Sequence, residues 1–336
     1  MRFGPVGLEE AEGAILAHSV RLADGKLKKG LRLDRAALDR LAGEGHAQVI
    51  AARLDPDDLH EDAAAARIAA ALVPDPAVAG LRLTKPFTGR VNLVAEGPGV
   101  VVLDAPRLHA LNLVDPMITL ATVPPFQQMR AGGMVGTVKI ISYAVSGADV
   151  ARACAAGQAA IRLARPVLRD AALIVTEIPG GAGEKGVPAI AGRLEALGLA
   201  MLGPVTVPHE EATLAAAIAA TPGDLVLILT GSATSDPADV APEAVRRAGG
   251  RVDRFGMPVD PGNLLFLGAQ GGRPVIGLPG CARSPALNGA DWVLARVACG
   301  LEVSAGDIAA MGVGGLLKEI PTRPQPRAGR KPPPDR

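Results

Sequence analysis

From Arg169 onward the chain alternates strand-like apolar runs with amphipathic helical segments, and this alternation constrains the fold more than any other feature. It commits the segment to an α/β domain with a mostly parallel sheet covered by helices. Ala171 to Ile178 reads as a strand, after which Val187, Ile190, Leu194 and Leu197 share one helical face that ends at Gly198. Ala200 to Val207 reads as a second strand, and Glu210 and Glu211 open a helix carrying Leu214 and Ile218. Leu225 to Leu229 is an unbroken apolar run, the pattern of a strand at the centre of a sheet. Pro242 suits the first helical position, with Ala241 as N-cap, of a helix running to Ala248. Short strands at 264–267 and 274–278 and a helix reaching Ala298 complete the pattern.

The first half is less regular. Leu33, Ala37, Leu38 and Leu41 predict a helix over 34–42, followed by a strand at 47–51 and a helix over 59–72 with Glu61 and Asp62 in its first turn. Short β-rich runs at 91–95, 100–103, 119–123 and 135–141 are separated by Gly and Pro. A chain of 336 residues accommodates two or three domains. The expected division is 1–88 as a mixed N-terminal region, 89–168 as a β-rich module with a connecting helix, 169–300 as the α/β domain, and 301–336 as a C-terminal extension. Within that extension 321–336 holds six prolines and five basic residues, the composition of a disordered linker or end. With one Trp, one Tyr and five Phe, the cores must be built from Ala, Val, Leu and Ile.

A formal net charge of +1 supplies no field for nucleic-acid binding. Cys154, Cys281 and Cys299 have no metal-ligand spacing and read as reduced structural thiols. The first residues lack an apolar signal region, and no apolar run approaches the roughly 18 residues that span a bilayer. A cytoplasmic protein with neither nucleic-acid nor membrane partners is expected. His18, His46, His60, His109 and His209 are scattered, which argues against structural zinc. There is no Gly-x-Ser-x-Gly elbow, P-loop or zinc-protease motif.

Three loops fall at the C-terminal ends of predicted parallel strands, the edge where ligands bind in open α/β sheets: 179–186, 230–241 and 279–284. The first contains Gly181-x-Gly183-x-x-Gly186, whose glycines let backbone N–H groups approach a phosphate, and Lys185 supplies a cation. The pattern also admits a nicotinamide-dinucleotide oxidoreductase, although the second strand ends at Val207-Pro208-His209 without the usual ribose-binding acid. The second loop, Thr230-Gly231-Ser232-Ala233-Thr234-Ser235, offers hydroxyls and N–H groups to an anion, with Asp239 as a functional or turn-forming carboxylate.

Together these residues carry a resemblance. Thr230-Gly231-Ser232, then Asp239 to Ala244, then Leu278-Pro279-Gly280 with Ser284, and Glu184 to Ala189 upstream, are similar to the molybdopterin-binding domain of molybdenum-cofactor biosynthesis proteins. The resemblance covers about 169–300. More loosely, Ile15 to His18, Lys29-Gly30, Leu59 to Asp62 and Gly136 to Val138 resemble the N-terminal region of molybdopterin molybdenumtransferases.

The resemblance implies a three-layer α/β/α, Rossmann-like domain that takes molybdopterin or its adenylylated form. It implies adenylyl transfer to molybdopterin or molybdate insertion, with ATP and magnesium as accessory ligands. Asp239, holding magnesium or orienting a phosphate, and Glu210 would be the catalytic carboxylates. Gly181, Gly183, Lys185, Gly186, Thr230, Gly231, Ser232, Thr234, Ser235, Pro279, Gly280 and Ser284 would contact the ligand. It further implies a homo-oligomer and a molybdoenzyme or another cofactor-biosynthesis enzyme as partner. Two positions depart from the family pattern: His209 stands where adenylyltransferases of the family commonly have Asp, and Ser232 replaces a Gly. Both bear on the adenylyl-transfer step more than on pterin binding, which leaves a non-catalytic molybdopterin carrier as the other reading.

Overall fold

A computed structural model describes residues 1–317. The expectation of a disordered 321–336 lies outside the described residues. The chain forms two compact units, Met1–Gly97 with Val101–Leu163, and Pro98–Val100 with the chain from Ala164 on.

In the first unit, strand Gln48–Arg53 pairs antiparallel with Arg2–Gly7 on one side and Ile15–Leu16 on the other. The Asp34 carboxylate accepts from Ala37 N–H at 2.8 Å and starts helix Arg35–Gly43, which buries Leu38 and Leu41 with Leu16, Leu33 and Val49. The strand Arg2–Gly7 escaped the sequence reading because its Gly and Pro interrupt any apolar alternation. Its register is fixed by the partner strand.

The unit's second core combines helix Glu61–Leu72 with a sheet ordered Ile118–Thr122, Met134–Ile140, Arg90–Ala95, Leu81–Leu83, and with helix Gly147–Gly157. Ala64, Ala65, Ala69 and Ala153 are fully buried there. Such small side chains let helices approach closely, which is how a core almost without aromatics fills its volume. Helix Ala105–Asn112 lies inside the stretch expected to be β-rich. Asp104 caps it by accepting from Arg107 N–H at 3.2 Å, and Pro106 sits in its first turn, a start signal that outweighs the β-rich surroundings.

The second unit contains β1 (Asp170–Glu177), α1 (Val187–Leu197), β2 (Ala200–Pro208), α2 (Glu211–Ala220), β3 (Val226–Leu229), α3 (Val240–Arg247), β4 (Arg251–Phe255), β5 (Phe266–Gln270), β6 (Arg273–Leu278) and α4 (Gly289–Ala298). Its six strands lie in the order β2-β1-β3-β6-β5-β4. The first four are mutually parallel, as the alternation of strand and helix requires, while β5 and β4 add antiparallel. The β5–β6 reversal follows from Gly271 and Gly272, whose φ values of 59° and 83° make a two-residue hairpin turn. β3 sits between β1 and β6 as expected, and every one of its residues is fully buried. Leu214 and Ile218 of α2 and Ala244 and Val245 of α3 pack on Ile174, Val226 and Ile228. The alternate residues Leu173, Val175 and Leu227 are equally buried, so both sheet faces are covered.

Candidate functional site

Because β1, β3 and β6 run parallel, the segments that follow them emerge at one sheet edge. Two side chains of the polar network there went unnoticed in the sequence. Thr176, fully buried near the end of β1, accepts from Gly231 N–H at 2.9 Å, and its hydroxyl lies 2.8 Å from His209 Nδ1. One hydroxyl thus links the ends of β1, β2 and β3. His209 N–H in turn donates to Glu177 O at 2.9 Å. Gly231 is required by packing, since a Cβ there would lie 2.7 Å from Thr176 O.

The second is Arg283, in the short 3-10 turn Gly280–Arg283 after β6. Its guanidinium donates to Gly183 O at 2.7 Å, to Lys185 O, and to Thr230 O at 2.9 Å. A single planar fork therefore gathers the loops that follow β1, β3 and β6. Burial lowers the Arg283 pKa from its ordinary value. Gly186, with φ of 99°, lies against this side chain: a Cβ on it would fall 2.6 Å from Arg283 Cα. The last glycine of the Gly181-x-Gly183-x-x-Gly186 pattern thereby has a packing reason for being glycine. Gly181 has one too, because a Cβ there would meet Ile178 Cγ1 at 2.7 Å and Gly231 O at 3.6 Å.

A third residue missed in the sequence, Arg193 of α1, pairs with Asp291 of α4. It also donates to Ala282 O at 2.9 Å and Ser284 O at 2.8 Å, which holds the 279–284 loop from beneath. No local motif distinguishes these arginines or Thr176. Only their position at the ends of predicted strands or facing the loops offers a signal.

Asp239, not Ala241, is the N-cap of α3. Its Oδ1 accepts from Val240 N–H at 2.7 Å and its Oδ2 from Ser235 N–H at 2.9 Å. The helix starts earlier than expected because this carboxylate satisfies local backbone donors before Pro242 is reached. Thr230 and Thr234 are buried with their hydroxyl oxygens 3.4 Å apart, whereas Ser232 is exposed and makes no hydrogen bond among the described residues. Lys185 is exposed and forms no ion pair among the described residues. Pro279 is buried, Gly280 is exposed, and the Ser284 hydroxyl accepts from Ala286 N–H at 3.2 Å.

Glu210 behaves differently. It accepts from Thr213 Oγ1 at 3.4 Å on its own helix, and among the described residues no hydrogen bond joins it to the Asp239 loop. Among the described residues, moreover, no group of three or more His, Cys, Asp or Glu is placed to hold a metal ion. Each Asp239 oxygen accepts one N–H group, so the carboxylate is held by the backbone of its own loop, and no second carboxylate is hydrogen-bonded to it among the described residues.

The mostly parallel sheet with helices on both faces defines an α/β domain, in which the edge at the strand C-termini is the usual place for a ligand. Residues 173–296 match the molybdenum-cofactor biosynthesis family model, described as a probable molybdopterin binding domain. The second unit thus carries a domain of the molybdenum-cofactor biosynthesis family. Among solved structures the chain is similar to the molybdopterin biosynthesis MoeA protein from Pyrococcus horikosii, at 15% identity over 83% of this chain and 70% of that one, with a TM-score of 0.26. No curated protein matches the chain. No helix among the described residues is long and apolar enough to cross a membrane.

Proposed function

We propose that the protein binds molybdopterin and acts in molybdenum-cofactor synthesis or handling. One observation carries the reading: Arg283 occupies the carbonyl oxygens of Gly183, Lys185 and Thr230 within the segment matched by the family. With those acceptors bound, the surface left at this edge is rich in donors. Ser232 offers its N–H and hydroxyl, and Lys185 a cation, to the terminal phosphate of the pterin's side chain. The thiol-bearing ring system would extend past Pro279-Gly280. The α1 and α4 helices on one face and α2 and α3 on the other would complete the three-layer domain.

Asp239 acts in this reading as a positioning residue that shapes the 230–235 loop through Ser235. Its double capping ties both carboxylate oxygens to the backbone, and on that ground ligand presentation to a partner enzyme is favoured over a transfer step that uses Asp239. Calorimetric titration with molybdopterin tests the proposal, with ATP plus magnesium and NAD as separate titrants. Micromolar molybdopterin binding, weakened about tenfold by Lys185→Gln or Ser232→Ala, is expected. Folded protein that gives no heat with molybdopterin would sink the reading. Magnesium-dependent turnover of ATP would replace the carrier by a transferase, and NAD binding alone would restore the oxidoreductase reading.

A further inference from the structure

In the first unit the strands Arg2–Gly7 and Gln48–Arg53 pair so that Arg2 stands directly opposite Arg53. Side chains opposite each other in a sheet share one face, and like charges in that position destabilise it. A third arginine joins them, since Arg32 is bridged to Ile15, and Ile15 pairs with Ala52, the neighbour of Arg53. All three arginines line one cavity of about 410 Å³, together with His60, Glu12 and Leu54 among others. Such a volume suits a small molecule.

The fold neutralises this cluster only in part. Arg2 Nε lies 3.3 Å from Asp55, and Arg53 donates to the largely exposed Glu10 at 2.8 Å. The Arg53 Nε is buried with no hydrogen-bond partner among the described residues. Arg32 forms no hydrogen bond or ion pair among the described residues, and its Nη2 lies 3.9 Å from where a Cβ on the cavity-lining Gly13 would be. His60 Nδ1 accepts from Asp62 N–H at 3.3 Å, which leaves its Nε2 as a donor. Two like charges set side by side and a buried N–H without an acceptor are costs that a fold carries where function uses them.

We propose that this cavity binds a small phosphate monoester that carries a hydroxyl or amino group. The guanidiniums of Arg2, Arg32 and Arg53 meet the dianion, and His60 adds a neutral donor. A tetrahedral phosphate, whose oxygens accept from several directions at once, matches donors arriving from three chain segments better than a planar carboxylate does. Glu12, exposed and unpaired among the described residues, accepts from the hydroxyl or amino group, and Leu54 gives the organic part an apolar contact. The cavity lies wholly within the first unit. Its occupant is a different molecule from the ligand at the second unit's edge, and its recognition does not depend on the molybdopterin reading.

Calorimetric titration of the full chain with glycerol 3-phosphate, inorganic phosphate and succinate tests this. Glycerol 3-phosphate should bind with a Kd below about 1 mM, and at least about tenfold more tightly than either of the others. Arg32→Gln should weaken it by about tenfold to a hundredfold, the worth of a hydrogen bond to a charged group, and Arg2→Gln should weaken it as well. Because Arg32 has no partner among the described residues to lose, its variant should keep the melting temperature of the ligand-free protein. Succinate or inorganic phosphate binding as tightly as the ester, no binding of the ester, or undiminished binding by Arg32→Gln would overturn the proposal. So would binding that Lys185→Gln removes and Arg32→Gln does not, which would put the phosphate at the second unit. If Arg32→Gln fails to fold, Arg2→Gln and the wild-type order of affinities decide.

Discussion

Arg283 occupies the space that a side chain on Gly186 would need, its Cα lying 2.6 Å from where that Cβ would be. The missing methyl at one end of the first loop lets a guanidinium from the third loop reach the carbonyls of the first and second. Substituting Gly186→Ala should therefore destabilise the protein by about 1–3 kcal/mol, from crowding and from the cost of φ near 99°. Urea denaturation of the variant would measure it, and a midpoint equal to that of the wild type would show that the loops shift freely.

Removing the fork itself should be worse. In Arg283→Met the partly buried carbonyls of Gly183 and Thr230 lose their donor, at about 1–3 kcal/mol for each unsatisfied group. Arg283→Lys restores the charge without the planar geometry and should recover only part of the loss. Hydrogen exchange of residues 179–186 and 230–235 should accelerate in both variants relative to α2, which does not touch the fork.

Asp239 separates capping from chemistry. Asp239→Ala should cost about 0.5–2 kcal/mol because Ser235 and Val240 N–H lose their acceptor, whereas Asp239→Asn keeps one capping oxygen, satisfies one of the two N–H groups and should cost less. Molybdopterin affinity should follow the same order. An Asn variant of wild-type stability that nevertheless loses activity would assign the negative charge a direct role in chemistry.

Cys299 provides a pH signature. Burial pushes its thiol from 9.0 up to about 11, so the folded state holds the proton more tightly than the unfolded chain does. The stability this contributes is complete below about pH 9 and is lost as pH rises towards about 11, on the order of 2 kcal/mol. The melting temperature should fall across that window and fall less in Cys299→Ala. Exposed Cys281 should react with a thiol reagent in the native state, while buried Cys299 should react only on unfolding.

Much of the α/β unit was legible in the sequence, because parallel strands buried on both faces must be apolar throughout and their crossover helices amphipathic. Leu225 to Leu229 announced the sheet centre, and Gly198 announced the end of α1 with φ of 76°. The glycine- and hydroxyl-rich segments were legible as loops for a similar reason, since they carry no large apolar residue, although Thr230 and Thr234 within them are buried. The strands Arg2–Gly7 and Arg251–Phe255 were not, because short, weakly periodic strands take their structure from the strands they pair with, and helix Ala105–Asn112 was not, because eight residues show too little periodicity among β-rich runs.

What the sequence alone determined, then, is the alternation of strand and helix that makes the second unit an α/β domain, and the loops that interrupt it. The tertiary structure alone decided which residues hold those stretches together. Thr176, Arg193 and Arg283 lie 55, 91 and 53 residues from Gly231, Ser284 and Thr230, the groups they bind. Hydrogen bonds spanning such separations leave no local periodicity to read. They exist only once the parallel sheet has brought the strand ends to one edge, where a buried carbonyl must find a donor whatever its distance along the chain.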